Sequence, residues 1–147
     1  MTTPSALDRP DAVPLRRRMA AKAAVGVARL LAPLPPRRLR AVLGVVRRGA
    51  RPADVATAKS ARDAVLAASL TCLGPRGCLP RSIAVALLCR AGGTWPTWCV
   101  GVRVLPPFGA HAWVEADGRL VDEGVPVDYF RRLVTVPPVE PGHRARR

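Results

Sequence analysis

The stretch "GCLPRSIAVALLCRAGGTWPTWCVGVRV", residues 77–104, contains two periodicities joined at a glycine pair. From Leu79 to Arg90, Ile83, Ala86, Leu87 and Arg90 share one side of a helix, while Ala84, Val85 and Leu88 fill most of the rest. An apolar surface this wide belongs to a buried helix. Gly92-Gly93 closes it. From Trp95 onward the period is two, with Trp98, Val100, Val102 and Val104 alternating with Cys99, Gly101 and Arg103, the pattern of a strand.

Working outward, "PPFG" interrupts, and "HAWVEADGRLVDE", residues 111–123, reads as two short strands joined at Asp117-Gly118. Asp-Gly between alternating residues is the strongest short hairpin signal. On the other side, "TCLGPRG" (71–77) is a turn by its Gly-Pro and Gly content. Before it, helices are expected from Leu15 to Leu34, ending at "APLPP", and from Arg37 to Arg48, with Leu39, Val42, Leu43 and Val46 on one stripe. A third follows Asp54, a fitting N-cap, through Val55, Ala58, Ala61, Val65 and Ala68 to near Leu70.

The expected class is α+β, with a helical N-terminal half followed by a helix packed on a small antiparallel sheet. The expected organisation is a disordered tail over 1–13, a helical region over 14–70, a core over 71–136 and a basic tail over 137–147.

Composition narrows the function classes. The 147 residues carry a net charge of +14 and are 49% hydrophobic but only 4% aromatic. Such charge is a first clue to nucleic acid, yet the arginines lie in scattered pairs and triples with few aromatics interleaved for base stacking. Nucleic acid is therefore not the expected partner, and an acidic peptide or protein fits better. The apolar stretch Met19 to Leu34 is broken by Lys22 and Arg29, so it is neither a secretory signal nor the roughly 18–20 apolar residues that span a bilayer. A cytoplasmic location is expected, with contact between a basic amphipathic segment and a membrane surface left open. Cys72, Cys78, Cys89 and Cys99 are separated by five, ten and nine residues, which matches no zinc pattern. No metal and no cofactor are expected.

A thiol is a poor nucleophile until it ionises, and a helix N-terminus or a neighbouring imidazolium lowers its pKa from about 8.5. Cys78 sits where the buried helix starts, and Pro80 fits the first turn, where a missing N–H is no loss. His111 opens a later strand and can act as base to a thiol on the facing helix. It needs an acid to fix its tautomer. With a two-residue turn at Asp117-Gly118, Asp122 shares the face of His111 one diagonal step away. With a three-residue turn the register slips by one and Glu123 lies opposite His111. Singly, each of these residues also fits a packing or solvated role. Their order along the chain, Cys at a helix start, then His on a strand, then an acid on the adjoining strand, is what points to thiol chemistry. Cys72, Cys89 and Cys99 read as core or spectator thiols, Cys72 being the rival nucleophile. Trp95, Trp98 and Trp113 read as core bulk.

The block from Cys78 through "HAWVE" to Glu123 resembles the transglutaminase-like cysteine proteases that remove the leader from lasso-peptide precursors, in their stand-alone form. The likeness extends back through "RRLRAVLGVVRRGARPADVATAKSARDAVLAASL" and forward to "RRLVTVPP". It implies a transglutaminase/papain-like core with Cys78 as nucleophile, His111 as general base and an Asp or Glu as orienter. The family's usual spacing favours Glu123, whereas the simplest hairpin register favours Asp122. In similar proteins a polar glutamine stands where this chain has Pro80, so any donor it supplies is missing here. The implied partners are the precursor peptide, a separate leader-recognition protein and an asparagine-synthetase-like macrocyclase. Two other functions use the same features: a transglutaminase-like acyltransferase or amidase with an amine acceptor, and a non-catalytic adaptor of a peptide-maturation complex.

Overall fold

The computed structural model describes residues 13–69 and 77–139. The expected N-terminal tail up to residue 12, the expected turn at 71–77 up to residue 76, with Cys72, and the basic end from 140 lie outside the described residues. Among the described residues there are four α-helices: α1 (Leu15–Leu31), α2 (Pro36–Val46), α3 (Val55–Ala68) and α4 (Cys78–Ala91). Six strands accompany them: β1 (Arg51–Pro52), β2 (Thr94–Trp95), β3 (Thr97–Arg103), β4 (Ala110–Ala116), β5 (Arg119–Leu120) and β6 (Phe130–Val136). The class is mixed α+β, as the sequence patterns led one to expect.

Local chemistry sets the boundaries. Helix α1 stops at Leu31 rather than Leu34 because Pro33 and Pro35 cannot continue it. Pro36 takes the first position of α2, where its fixed φ suits a helix start. Asp54 caps α3 as the sequence suggests, its Oδ1 accepting the Thr57 N–H at 2.7 Å. A second carboxylate joins it from the hairpin: Asp117 Oδ2 accepts the Val55 N–H at 3.1 Å. The tip of the β4–β5 turn is thereby fastened to α3.

Helix α4 is the centre of the molecule, in contact with α1, α3, β2, β3 and β4. Ile83, Ala84, Val85, Ala86 and Leu88 are buried, in one cluster with Ala21, Val25 and Ala28 of α1, Val65 of α3 and Trp98 and Val114 of the sheet. Each such Val, Leu or Ile contributes about 1.5–3 kcal/mol by leaving water. The N-terminal helices share this core with the sheet. Polar ties fix the packing: Trp98 Nε1 donates to Ser82 Oγ at 3.0 Å, and Arg90 Nε donates to Val46 O at 2.8 Å, closing the C-terminus of α2 from α4.

The main sheet has the order β5-β4-β3-β6, antiparallel throughout. Strand β6 and the short parallel pair β1–β2 are elements that the sequence patterns did not announce. The hairpin pairs Ala116 with Arg119 and Glu115 with Leu120, the two-residue register. Asp117 and Gly118 both take positive φ, 53° and 70°, as a type I′ turn demands. Strands β3 and β6 slip at Val100/Gly101, where Val134 and Arg132 pair but Leu133 between them does not. One face of the sheet meets α4; the other carries Cys99, Trp113 and Phe130 as a second apolar cluster.

Candidate active site

Cys78 is the first residue of α4, after an N-cap glycine that offers no side chain to the helix end. The N–H groups of a first turn have no intrahelical partner, and Pro80 has none to offer. Those of Cys78 and Leu79 are left, at the positive end of the helix dipole. The neighbouring strand completes the setting. Strand β5 covers β4 only at Glu115 and Ala116, so the edge of β4 near His111 has no strand beside it. Cys78 lies there, near enough to the His111 ring and the Ala112 N–H for both to lower its pKa.

Burial alone raises the Cys78 pKa, but the hydrogen bonds from His111 and Ala112 and the charges of His111 and Arg81 outweigh it and hold the thiol below its ordinary value. The other described thiols move oppositely. Burial pushes Cys89 up to about 11. Cys99 is pushed up further, by burial and by the Glu115 carboxylate, whose Oε2 lies 3.5 Å from its sulfur. Among the described cysteines, only Cys78 is poised to ionise.

His111 is 9% exposed. Its Nε2 lies 3.0 Å from Glu123 Oε2, which leaves Nδ1 as the nitrogen for Cys78. Burial disfavours the charged ring. The hydrogen bonds to Cys78 and Glu123 and their negative charges prevail, raising the His111 pKa to about 9. The ring is also held in a stack: Phe130 lies 4.7 Å away at 21°, and Trp113 lies 5.9 Å away at 12°. An aromatic face attracts a cation, so Phe130 favours the same protonation state as Glu123. The arrangement is a thiol and an imidazole whose pKa values are both shifted toward their charged forms, with a carboxylate on the far side of the ring.

The structure brings Cys78, His111 and Glu123 together and sends Asp122 elsewhere. Its Oδ2 faces Lys59 Nζ at 3.3 Å and Arg62 Nη1 at 3.8 Å, both on α3. The two-residue turn is present, yet the register argument that favoured Asp122 does not carry as far as His111, because β5 ends at Leu120. Asp122 then turns into positive φ (52°), followed by Gly124 at 68°, and this rotation presents Glu123 to the imidazole. Arg62, itself 6% exposed, lies with Arg81, Ser82 and Ala112 around a small cleft that Glu123 closes. Burial lowers the Arg62 pKa and the Glu123 charge works against that.

Phe130 and Arg62 join the site without having been singled out from sequence. Phe130 stands alone in an unrecognised strand, and Arg62 lies on a helix face that otherwise reads as alanine packing. Trp113, read as core bulk, does fill the core but also stacks on the histidine. Among the described residues no group of three His, Cys, Asp or Glu side chains is arranged to hold a metal ion, and no helix is long and apolar enough to cross a membrane.

A family model described as "Transglutaminase-like superfamily" matches residues 21–135. Comparison with curated proteins and with solved structures gives no match.

Proposed function

The chain belongs to the transglutaminase-like superfamily, whose domain indicates cysteine protease or acyltransferase-type chemistry, and from that premise we propose that this protein is a cysteine endopeptidase that removes the leader from a ribosomally made lasso-peptide precursor. The observation that supports a hydrolase most directly is the chain of contacts from Cys78 through His111 to Glu123. The lasso-precursor substrate is supported by the likeness of the Cys78-to-Glu123 block.

In this reading the Cys78 thiolate attacks the scissile carbonyl carbon, and the oxyanion that forms faces the N–H groups at the start of α4. The imidazolium of His111 gives its proton to the departing amine of the core peptide, leaving the leader as a thioester on Cys78. Water, deprotonated by the same ring, then attacks that carbonyl. The leader carboxylate departs and the Cys78 thiolate is regenerated. Glu123 holds the ring in one tautomer throughout, and Phe130 fixes its plane.

The partners in this proposal are the precursor, a separate leader-recognition protein and an asparagine-synthetase-like macrocyclase that receives the core, in the cytoplasm. The test is mass spectrometry of a precursor incubated with this protein and the leader-recognition protein. Two fragments whose masses sum to precursor plus one water are expected. Fragment joined to an added amine instead of water would make the protein an acyltransferase. Intact precursor, or cleavage undiminished by Cys78→Ala, would overturn the proposal in favour of an adaptor.

A further inference from the structure

A groove of about 570 Å³ runs between α2 and the end of β6, its walls including Arg37, Arg40 and Arg47 on one side and Thr135 to Pro137 on the other. It is separate from the cysteine centre. Val136 pairs with Trp98, which pairs with Val114, so the groove lies two strands over from β4 and three positions of register from His111. Nothing in the catalytic arrangement uses it.

By their spacing the three arginines, the last of them the C-cap of α2, share a face flanking the buried stripe of Leu39 and Leu43. Arg37 and Arg40 are exposed and have no ion-pair partner among the described residues. Arg47 is fixed in place, its Nη1 donating to Pro137 O at 2.6 Å, while its Nε is buried with no acceptor. Between the arginines the helix presents only Ala41 and Gly44, and a Cβ on Gly44 would meet nothing within 4 Å. The floor is therefore low and open enough for a chain to lie in it. Among the described residues no acidic side chain lines the groove, and the arginines call for an occupant that supplies negative charge.

We propose that this groove binds an acidic segment of a polypeptide partner in extended form, its carboxylates meeting Arg37 and Arg40 and its backbone lying over Ala41 and Gly44. The lining selects among anionic partners. It has no aromatic side chain on which a nucleobase could stack. Of the exposed large apolar residues of the N-terminal helices that could enter a lipid surface, Leu15, Met19, Val27 and Leu30 belong to α1; α2 exposes Val45, which does not line the groove. Carboxylate groups spaced along a peptide match guanidinium groups spaced along a helix.

The test is fluorescence anisotropy on the full chain with a fluorescein-labelled alternating Glu/Val peptide as probe, read without turnover. Its failure therefore leaves the catalytic proposal standing. Saturable binding that weakens with salt is expected, and an alternating Lys/Val peptide should not compete. Charge-assisted contacts to Arg37 and Arg40 carry the binding, so Arg40→Ala should weaken it by about tenfold and Arg37→Glu with Arg40→Glu should abolish it. Arg16→Glu on α1 should leave it unchanged. Circular dichroism checks that each variant is folded. Absence of saturable binding, or equal affinity in the folded Arg37/Arg40 variants, would overturn the proposal. So would tighter, Arg40-dependent binding of a thymidine oligonucleotide or of phosphatidylglycerol vesicles.

Discussion

The Phe130 ring lies almost parallel to the His111 imidazole, with centroids 4.7 Å apart. The contact joins the start of β6 to the start of β4 across β3, since Phe130 pairs with Arg103 and His111 with Gly101. A ring face over a cation is worth about 0.5–2 kcal/mol depending on desolvation, and one pKa unit corresponds to about 1.4 kcal/mol. Phe130→Leu should therefore lower the His111 pKa from about 9 by up to about one unit. NMR titration of the imidazole checks this, and Phe130→Tyr should restore the wild-type value. An unshifted titration in a folded Phe130→Leu protein would show that the ring only packs.

The same pair of groups sets the pH dependence. The Cys78 pKa lies below its ordinary value, so the thiolate persists at lower pH than for a free thiol, and protonating it gives the acid limb of activity. His111 keeps its proton until about pH 9, and in the proposed mechanism losing it should remove the acid that protonates the leaving amine and so give an alkaline limb. The two limbs belong to the coupled pair. Glu123 favours the proton on His111 by hydrogen bond and by charge, so Glu123→Gln should move the alkaline limb to lower pH. One to two units is the expected size, from about 1.5–3 kcal/mol for a hydrogen bond to a charged group. Asp122→Asn should leave that limb in place, since Asp122 faces Lys59 and Arg62. Equal shifts in both variants would remove Glu123 from its orienting role.

Thiol reactivity offers a measurement that needs no substrate. Cys78 is half-buried with a lowered pKa, whereas Cys89 and Cys99 are buried with raised ones. Iodoacetamide at neutral pH should alkylate Cys78 well before Cys89 or Cys99, and His111→Ala should remove most of that preference. Peptide mapping by mass spectrometry reads the order. Uniform labelling of these three thiols in the folded protein would argue against an activated Cys78.

Much of this site is legible in the chain because its parts follow local rules. The apolar run after Cys78 makes a buried helix wherever it sits, and Asp117-Gly118 makes a tight turn because both positions need positive φ. What sequence could not decide was the carboxylate. Pattern arguments extend a ladder at period two, but β5 ends at Leu120, and Asp122 takes a positive φ with its carboxylate facing Lys59 and Arg62 on α3. Strand β6 was missed because Leu133, the unpaired residue of a bulge, breaks the alternation of "FRRLVTV". A tertiary irregularity hides a period that the flanking residues keep.

That bulge leads to a prediction about stability. Gly101 sits where β3 and β6 slip, opposite His111, and a Cβ built on it would run into Arg131 O and meet the Trp113 ring at 2.9 Å. The first obstacle is backbone, so it cannot rotate aside; the second is the indole of the second core cluster and a neighbour in the His111 stack. Overpacking of a filled core costs typically 1–3 kcal/mol, and Gly101→Ala should reach the upper part of that range by parting β3 from β6. Gly26 on α1 is the control. A Cβ there meets nothing within 4 Å, and alanine is the better helix former by about 0.5–1 kcal/mol, so Gly26→Ala should stabilise. Urea unfolding of both variants gives the comparison. Because Gly101 pairs with the histidine, Gly101→Ala should also lose the Cys78 labelling preference before it unfolds, which Gly26→Ala should not. A Gly101→Ala protein as stable and as reactive as wild type would mean that the strands do not approach this closely beneath His111.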